Sequence, residues 1–268
     1  MHPYQMPQFN WKQALTTVVV LTAGVGAIAF LQLPQLERLK TRGDTLTETE
    51  VQRDVAAEWA RLAILQQMPS LGYDNLIAST TFLNFLQYFG DIPAREKSDY
   101  SLSPEYFEVI LRRDPFFREA YTFLSTSTAL YAGMPERSIA LTSEGLSHLT
   151  PTVPVGSFFV WRNKAIDQLL FLGDAAGAQQ SFETAADWAI ASGLPNSQNA
   201  AAVSRQTAQF LAKNPDSKAA QAAAWAMVLT NAPDDRTRRT AIEKIEALGG
   251  KIVINPDGSF HLQPPAED

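Results

Sequence analysis

The sequence predicts an all-α fold of helical hairpins packed side by side, and three observations carry that prediction. Alanine and leucine dominate the chain, and β-branched runs are rare outside the N-terminus. The stretch from Phe158 to Ala191 reads as two antiparallel helices joined at Gly173-Asp174. Its second half places Ala178, Phe182, Ala185, Ala186 and Ala189 on one apolar helical stripe. Small Ala178 and Ala185 flank the large Phe182, so a preceding helix can approach closely and seat the ring between them. The same corner recurs at Tyr88-Phe89-Gly90-Asp91, Tyr131-Ala132-Gly133-Met134 and Phe171-Leu172-Gly173-Asp174, at intervals of 43 and 40 residues. One hairpin cannot bury its stripe alone, so the copies are expected to stack into an α-solenoid.

The packing chemistry of each unit is that of a tetratricopeptide (TPR) repeat, with periods longer than the usual ~34 residues. The middle unit keeps small residues at Ser138 and Gly145, which match Ala178 and Ala185, and Pro135 suits the first turn of its second helix. The first unit departs from the spacing. Between Gly90 and its second helix, which runs from Pro104 to Leu111, lies an insertion from Asp91 to Ser103. Within it, Ile92 to Leu102 breaks the repeat without an evident fold requirement, which makes it a candidate functional loop or, equally, a tolerated insertion.

Taken in order, residues 1–12 form a polar tail, and no charge occurs from Gln13 through Leu36. Ala14 to Leu33 supplies about the 20 residues needed to cross a hydrocarbon core ~30 Å thick, so residues 13–36 are read as a transmembrane helix. Trp11 and Lys12 mark one margin; Glu37, Arg38, Lys40 and Arg42 mark the other. A cleaved signal peptide is the alternative, since Ala27-Ile28-Ala29 matches a small-x-small cleavage pattern. The flanking cations place the C-terminal body on the cytoplasmic side. Residues 37–47 are a linker, and Thr47 with Glu50 can form a capping box.

A helical domain over residues 48–250 follows. Its first helix, Glu48 to Met68, is expected to bury Val51, Val55, Trp59, Leu62 and Leu65. The next, Asn75 to Phe89, is apolar around so much of its circumference that it is expected inside the stack. Beyond the central hairpin come a helix over Ser197 to Ala212 and a last pair, Ser217 to Asn231 with Pro233 to Leu248, stopped by Gly249-Gly250. Residues 251–268 complete the chain: Lys251 to Ile254 and Ser259 to Leu262, around Asn255-Pro256-Asp257-Gly258, predict a small β-hairpin before an acidic tail.

Composition narrows function. The chain is 46% hydrophobic, enough for one sizeable core, and carries a net charge of −6. Four of its 22 basic and one of its 28 acidic residues precede Gly43, which leaves 18 against 27 in the rest of the chain. Phosphate backbones would repel such a body, so no nucleic-acid partner is expected. The absence of cysteine excludes disulfides, thiolate metal sites and cysteine nucleophiles. The three histidines, His2, His148 and His261, have no second ligand at metal spacing, and no phosphate loop or nucleophile elbow stands in context. The sequence therefore offers no catalytic, cofactor or metal residues and reads as a non-enzyme without cofactors.

The expected work is protein binding. Arg118, Arg162, Asn163 and Lys164 lie on first helices, the side that lines the concave face of such repeats, where cations can hold a peptide carboxylate. Inter-repeat ion pairs are the alternative use of those charges. Against the TPR carboxylate-clamp pattern, Asn163 matches but Phe123 stands at the equivalent position of the preceding unit. Tyr100, Tyr106 and Tyr121 join Phe116, Phe117, Phe158, Phe159 and Trp161 at repeat junctions, where exposed rings would anchor a partner and the majority are expected to pack in the core.

The runs DNLIASTTFLNFLQYFGD, SLSPEYFEVILRRDP, LSTSTALYAGMPERS, FLGDAAGAQQSFETAADWA and SRQTAQFLAKNPDSKAAQAAAWAMVL resemble a family of cyanobacterial single-pass membrane proteins related to TPR proteins. The resemblance covers most of the chain from Trp59 onward and brings no site residues with it. It implies a role in assembling or maintaining a photosynthetic membrane complex, in the thylakoid or plasma membrane, with a complex subunit as partner. An envelope enzyme, a small-ligand-binding protein using the concave groove, and a structural accessory subunit are the alternatives.

Overall fold

The computed structural model describes Trp11, Gly26 and residues 47–230, 232, 235–254 and 260–266. The predicted transmembrane segment, residues 13–36, lies outside the described residues apart from Gly26, as does the predicted hairpin turn. Among the described residues no helix is long and apolar enough to cross a membrane. The chain divides into two compact units, Met1–Val51 and Gln52–Asp268.

The described chain is mostly helical, with one two-stranded sheet near its end. Helix α1 spans Glu48–Gln67 and opens on the predicted capping box: the Glu50 amide donates to Thr47 Oγ1 at 3.3 Å, and the Thr47 amide to Glu50 Oε2 at 2.9 Å. Then come α2 (Asp74–Gly90), α3 (Ile92–Ser98), α4 (Ser103–Arg113), α5 (Arg118–Leu124) and α6 (Pro135–Leu146). Further on lie α7 (Phe158–Asp167), α8 (Ala175–Ser192), α9 (Ser197–Lys213), α10 (Lys218–Thr230) and α11 (Asp235–Ala247). Strands β1 (Lys251–Ile254) and β2 (Phe260–Gln263) pair antiparallel where the sequence predicts two strands, with Ile252 opposite Leu262.

Two π-helical segments interrupt this pattern, Ser125–Tyr131 after α5 and Gln168–Leu172 after α7. Each runs into a left-handed glycine, Gly133 and Gly173, both at φ +65°. In each, the residue after the glycine donates its amide six residues back: Met134 to the Thr128 carbonyl and Asp174 to the Gln168 carbonyl, both at 2.9 Å. That bond satisfies a carbonyl orphaned by the end of the helix, and glycine reaches the left-handed region without a Cβ penalty. Gly90 does not share the corner. It is the last residue of α2, and Asp91 follows as the cap of α3, its carboxylate accepting from the Ala94 amide. Of the three aligned glycines, therefore, only two mark the same turn.

The core begins as an aromatic cluster between α2 and α4. Phe85 is fully buried, with the rings of Phe107, Phe89, Tyr106 and Phe123 between 4.6 and 6.1 Å from its own. A second cluster gathers Phe182 with Ala165, Leu169, Ala178, Ala208 and Leu211 from α7, the π segment after it, α8 and α9. A third joins Trp225 and Leu229 of α10 to Ala241 and Ile245 of α11 and to Leu130 and Phe171 of the two π segments.

Two expectations about the first helices are corrected. Trp59 is exposed, because the neighbouring Glu58 turns inward in its place to accept a bond from the buried Tyr106 hydroxyl and to pair with Arg61. Neither can α2 be wholly internal: Leu76 and Leu83, seven residues and two turns apart, are about three-fifths exposed. This helix buries the face carrying Ala78, Thr81, Phe85 and Tyr88.

Candidate binding groove

Helical spacing builds the groove. On α7, Phe159, Arg162, Asn163 and Ile166 follow at intervals of three, one and three residues, and so share one face. On α5, Arg118 and Thr122 stand one turn apart; on α10, Met227 and Thr230 do the same. These three faces, with Glu119 and Val160, enclose a cavity of about 560 Å³. A narrower recess of about 40 Å³ continues from Thr122, Asn163, Ile166 and Met227 toward Ser125 and Thr126.

Arg162 dominates the chemistry of this cavity. Its guanidinium makes no ion pair among the described residues, and its Nε is buried without a hydrogen-bond partner. Its one acceptor among the described residues is the thioether of Met227, 3.6 Å from Nη2, and the Phe159 ring lies 5.8 Å away. Burial pushes its pKa below the usual arginine value. A buried charge without a counter-charge is costly, and an acidic group entering the groove would relieve that cost. Asn163, one position on, makes no side-chain hydrogen bond to other described residues and has amide capacity to spare. Arg118 is engaged, donating to the Val155 carbonyl at 3.2 Å and to Glu119 at 2.6 Å, so it steadies the rim.

Apolar side chains border these groups: Phe159 of the lining is 43% exposed, and Val155, whose carbonyl Arg118 binds, is 63% exposed. The cavity thus offers one unpaired cation, one amide and hydrophobic side chains, a combination suited to a peptide that pairs an acidic group with an apolar residue.

Of the seven side chains singled out in the sequence, Arg118, Arg162 and Asn163 converge here. The other four do not. Tyr106 and Tyr121 are core residues, at most 2% exposed, and their hydroxyls bond Glu58 and the Pro115 carbonyl. Tyr100 is likewise buried, its ring against Phe89 and Tyr131. Lys164, on the same helix as Arg162, lies 5.0 Å from the Trp161 ring and outside the cavity lining. Sequence reasoning missed Met227 and Thr230, because nothing in the alanine-rich α10 announces which of its faces lines the cavity. Two other cations are ion-paired: Arg112 reaches Glu108 and Glu144, and Arg113 binds Asp74 at 3.1 Å and the Leu65 carbonyl at 2.8 Å.

Behind the groove lies a buried carboxyl. Asp167, at the end of α7, is 1% exposed, and Ser125 and Ser138 donate to its two oxygens at 2.6 and 3.0 Å. Burial pushes its pKa up to about 7, against the opposing pull of the two hydroxyls. Ser125 also lines the narrow recess, one side chain away from the cavity. Among the described residues no group of three or more potential ligands could hold a metal ion.

Comparison with family models, curated proteins and solved structures finds no match for this chain. The groove has to be read from its own chemistry.

Proposed function

We propose that the chain is a scaffold of TPR-like repeats that seats a segment of a protein partner in the groove between α5, α7 and α10. The observation that carries this reading is Arg162, an unpaired guanidinium on a concave wall with a free amide beside it and apolar side chains around it. An acidic side chain or terminal carboxylate of the partner would complete its hydrogen bonding, and an adjacent apolar residue would cover Phe159 and Met227.

The sequence supplies the setting. In this reading residues 13–36 are a single-pass anchor, and the partner is a subunit of a membrane complex, photosynthetic by the family resemblance, whose assembly or maintenance the scaffold assists. Tethering confines the groove to the membrane surface, so a modest affinity for membrane-bound clients suffices. Crosslinking in native membranes followed by mass spectrometry tests the reading. Crosslinks from the Phe159–Ile166 face to one membrane-complex subunit, lost in Arg162→Gln, are the expected outcome. Recovery of no such subunit, or crosslinks indifferent to that substitution, would overturn it.

A further inference from the structure

A second cavity, of about 440 Å³, opens where the insertion after α2 faces the last helical pair, and its lining includes Arg95, Lys97, Asp99, Tyr100, Tyr131 and Arg236. We propose that this cavity binds a phosphomonoester group, held between Arg95 of α3 and Arg236 of α11.

Arg95 is the unusual residue. It is 9% exposed, its Nε is buried without a partner among the described residues, and its Nη1 donates to the Asp99 carbonyl at 3.2 Å. Its guanidinium lies 3.9 Å from the centre of the Tyr88 ring. The ring face attracts the cation but accepts none of its in-plane N–H donors as a carboxylate would. No ion pair to Arg95 exists among the described residues, so the chain keeps a nine-tenths-buried charge with most of its donors unused.

Arg236 supplies the opposite wall. Its guanidinium stands 4.6 Å from the Tyr131 ring and 5.6 Å from Tyr100, with no ion pair and no side-chain hydrogen bond to other described residues. Stacking on aromatic faces fixes the plane of the group and leaves its donors directed outward. Lys97 adds a third positive charge to the lining, against Glu96 and Asp99. The Asp99 carboxylate already accepts from the Ser101 amide at 2.7 Å.

The backbone is strained at the same place. Asp99 has φ +62° and ψ −164°, a region that residues with a Cβ avoid, and there its carbonyl receives Arg95, the Tyr88 hydroxyl and the Ser98 hydroxyl. The Asp99 carbonyl, set in that conformation, holds Arg95 at the wall. Two forks converging from separate elements suit a group that offers three oxygens in three directions; a carboxylate, with two oxygens in one plane, would satisfy one fork. The insertion that breaks the repeat spacing thereby acquires a use. It brings a cation from the start of the fold against one from its end, 141 positions away in the sequence, and the ligand would bridge them.

The test is thermal unfolding and calorimetric titration of the full chain with phenyl phosphate, against potassium chloride at equal ionic strength. Saturable binding and a raised Tm are expected with phenyl phosphate and not with chloride. Arg236→Gln, an exposed position whose loss should leave folding intact, is expected to weaken binding by about tenfold or more, as removal of a charge-assisted contact does. Arg95→Gln should abolish it; Arg162→Gln, in the other groove, should leave it unchanged, so the fate of this site is separable from that of the partner groove. Flotation with vesicles containing phosphatidic acid, compared with phosphatidylcholine alone, separates the two sources of the group. Arg236-dependent vesicle binding assigns a lipid headgroup, and Arg236-dependent phenyl phosphate binding without it assigns a free metabolite. Absence of binding in both arms, or binding that survives Arg236→Gln, overturns the proposal.

Discussion

The two hairpins that share a left-handed corner, at Gly133 and Gly173, fill the same cross-section from opposite sides. Offset by 40 residues, Tyr121 of α5 corresponds to Trp161 of α7, Thr142 of α6 to Phe182 of α8, and Gly145 to Ala185. In the earlier hairpin the first helix supplies the large group. Tyr121 is 1% exposed and lies so close over Gly145 that a Cβ there would stand 2.1 Å from its hydroxyl oxygen. In the later hairpin the second helix supplies it: Phe182 is buried against Ala165 and Leu169, and Trp161 is displaced toward Trp188. One backbone plan thus accepts two complementary fillings, because a close-packed interior fixes the total volume at a layer and not which helix provides it.

Phe182→Ala breaks the later filling outright and should cost about 3–5 kcal/mol, the range for a buried ring replaced by a cavity. Its counterpart Thr142→Ala removes far less volume and should cost about 1 kcal/mol. Denaturant titration of the two variants measures the contrast; equal costs would mean that the fillings are not complementary.

The hairpins differ also in their buried polar residues, and this sets a pH dependence. In and beside the π segments Ser127 and Thr128 correspond to Asp167 and Gln168, all four buried. Only the later hairpin carries an ionisable group there. Asp167 has a folded pKa of about 7, above its unfolded value. The folded state therefore holds a proton that the unfolded chain has released, and stability declines as pH rises from the unfolded pKa through about 7, by at most about 1.4 kcal/mol per pH unit. Asp167→Asn should flatten that decline and make the variant relatively more stable at pH 8 than at pH 5. Parallel Tm–pH curves for the two proteins would refute the assignment.

Gly145→Ala sharpens the comparison at smaller scale. The new methyl must displace a ring whose hydroxyl donates to the Pro115 carbonyl at 2.7 Å, and the expected cost is about 1–3 kcal/mol although alanine is the better helix former. Ala185→Gly, the reverse change in the later hairpin, should cost about 1 kcal/mol through helix propensity. If Gly145→Ala were stabilising, Tyr121 would have an alternative seat.

These same residues show which parts of the architecture periodicity can reveal. The stripe Ala178–Phe182–Ala185, the corners at Gly133 and Gly173 and the capping box at Thr47 are local patterns, set by spacings of three and four or by one backbone angle, and each stands where the sequence puts it. Trp59 and Glu58 exchange roles because a distant tyrosine, Tyr106, offers a hydroxyl; helical periodicity carries no term for such a partner. Leu76 and Leu83 stay exposed because apolar content sets what a helix could bury, while its neighbours decide what it does bury. Within the groove, Arg162 and Asn163 are legible in the sequence because they share one short face of α7. Met227 came from a helix more than sixty residues on, whose packing no local pattern records.

The smallest expected effect on the fold belongs to the residue with the largest expected effect on binding. In the earlier hairpin the position matching Arg162 is Thr122, which also lines the groove but carries no charge. Arg162 desolvates a guanidinium for one thioether contact, so Arg162→Met keeps most of its apolar packing and removes an unpaired charge. Unfolding should shift by no more than about 1 kcal/mol, and in the stabilising direction if either. A structural ion pair would behave otherwise: Arg113→Met, at a side chain bonded to both Asp74 and the Leu65 carbonyl, should destabilise. Comparing denaturation midpoints of the two variants therefore distinguishes a cation kept for a ligand from one kept for the fold. If Arg162→Met lost as much stability as Arg113→Met, the groove cation would be structural and the reading of the groove as a binding site would fall with it.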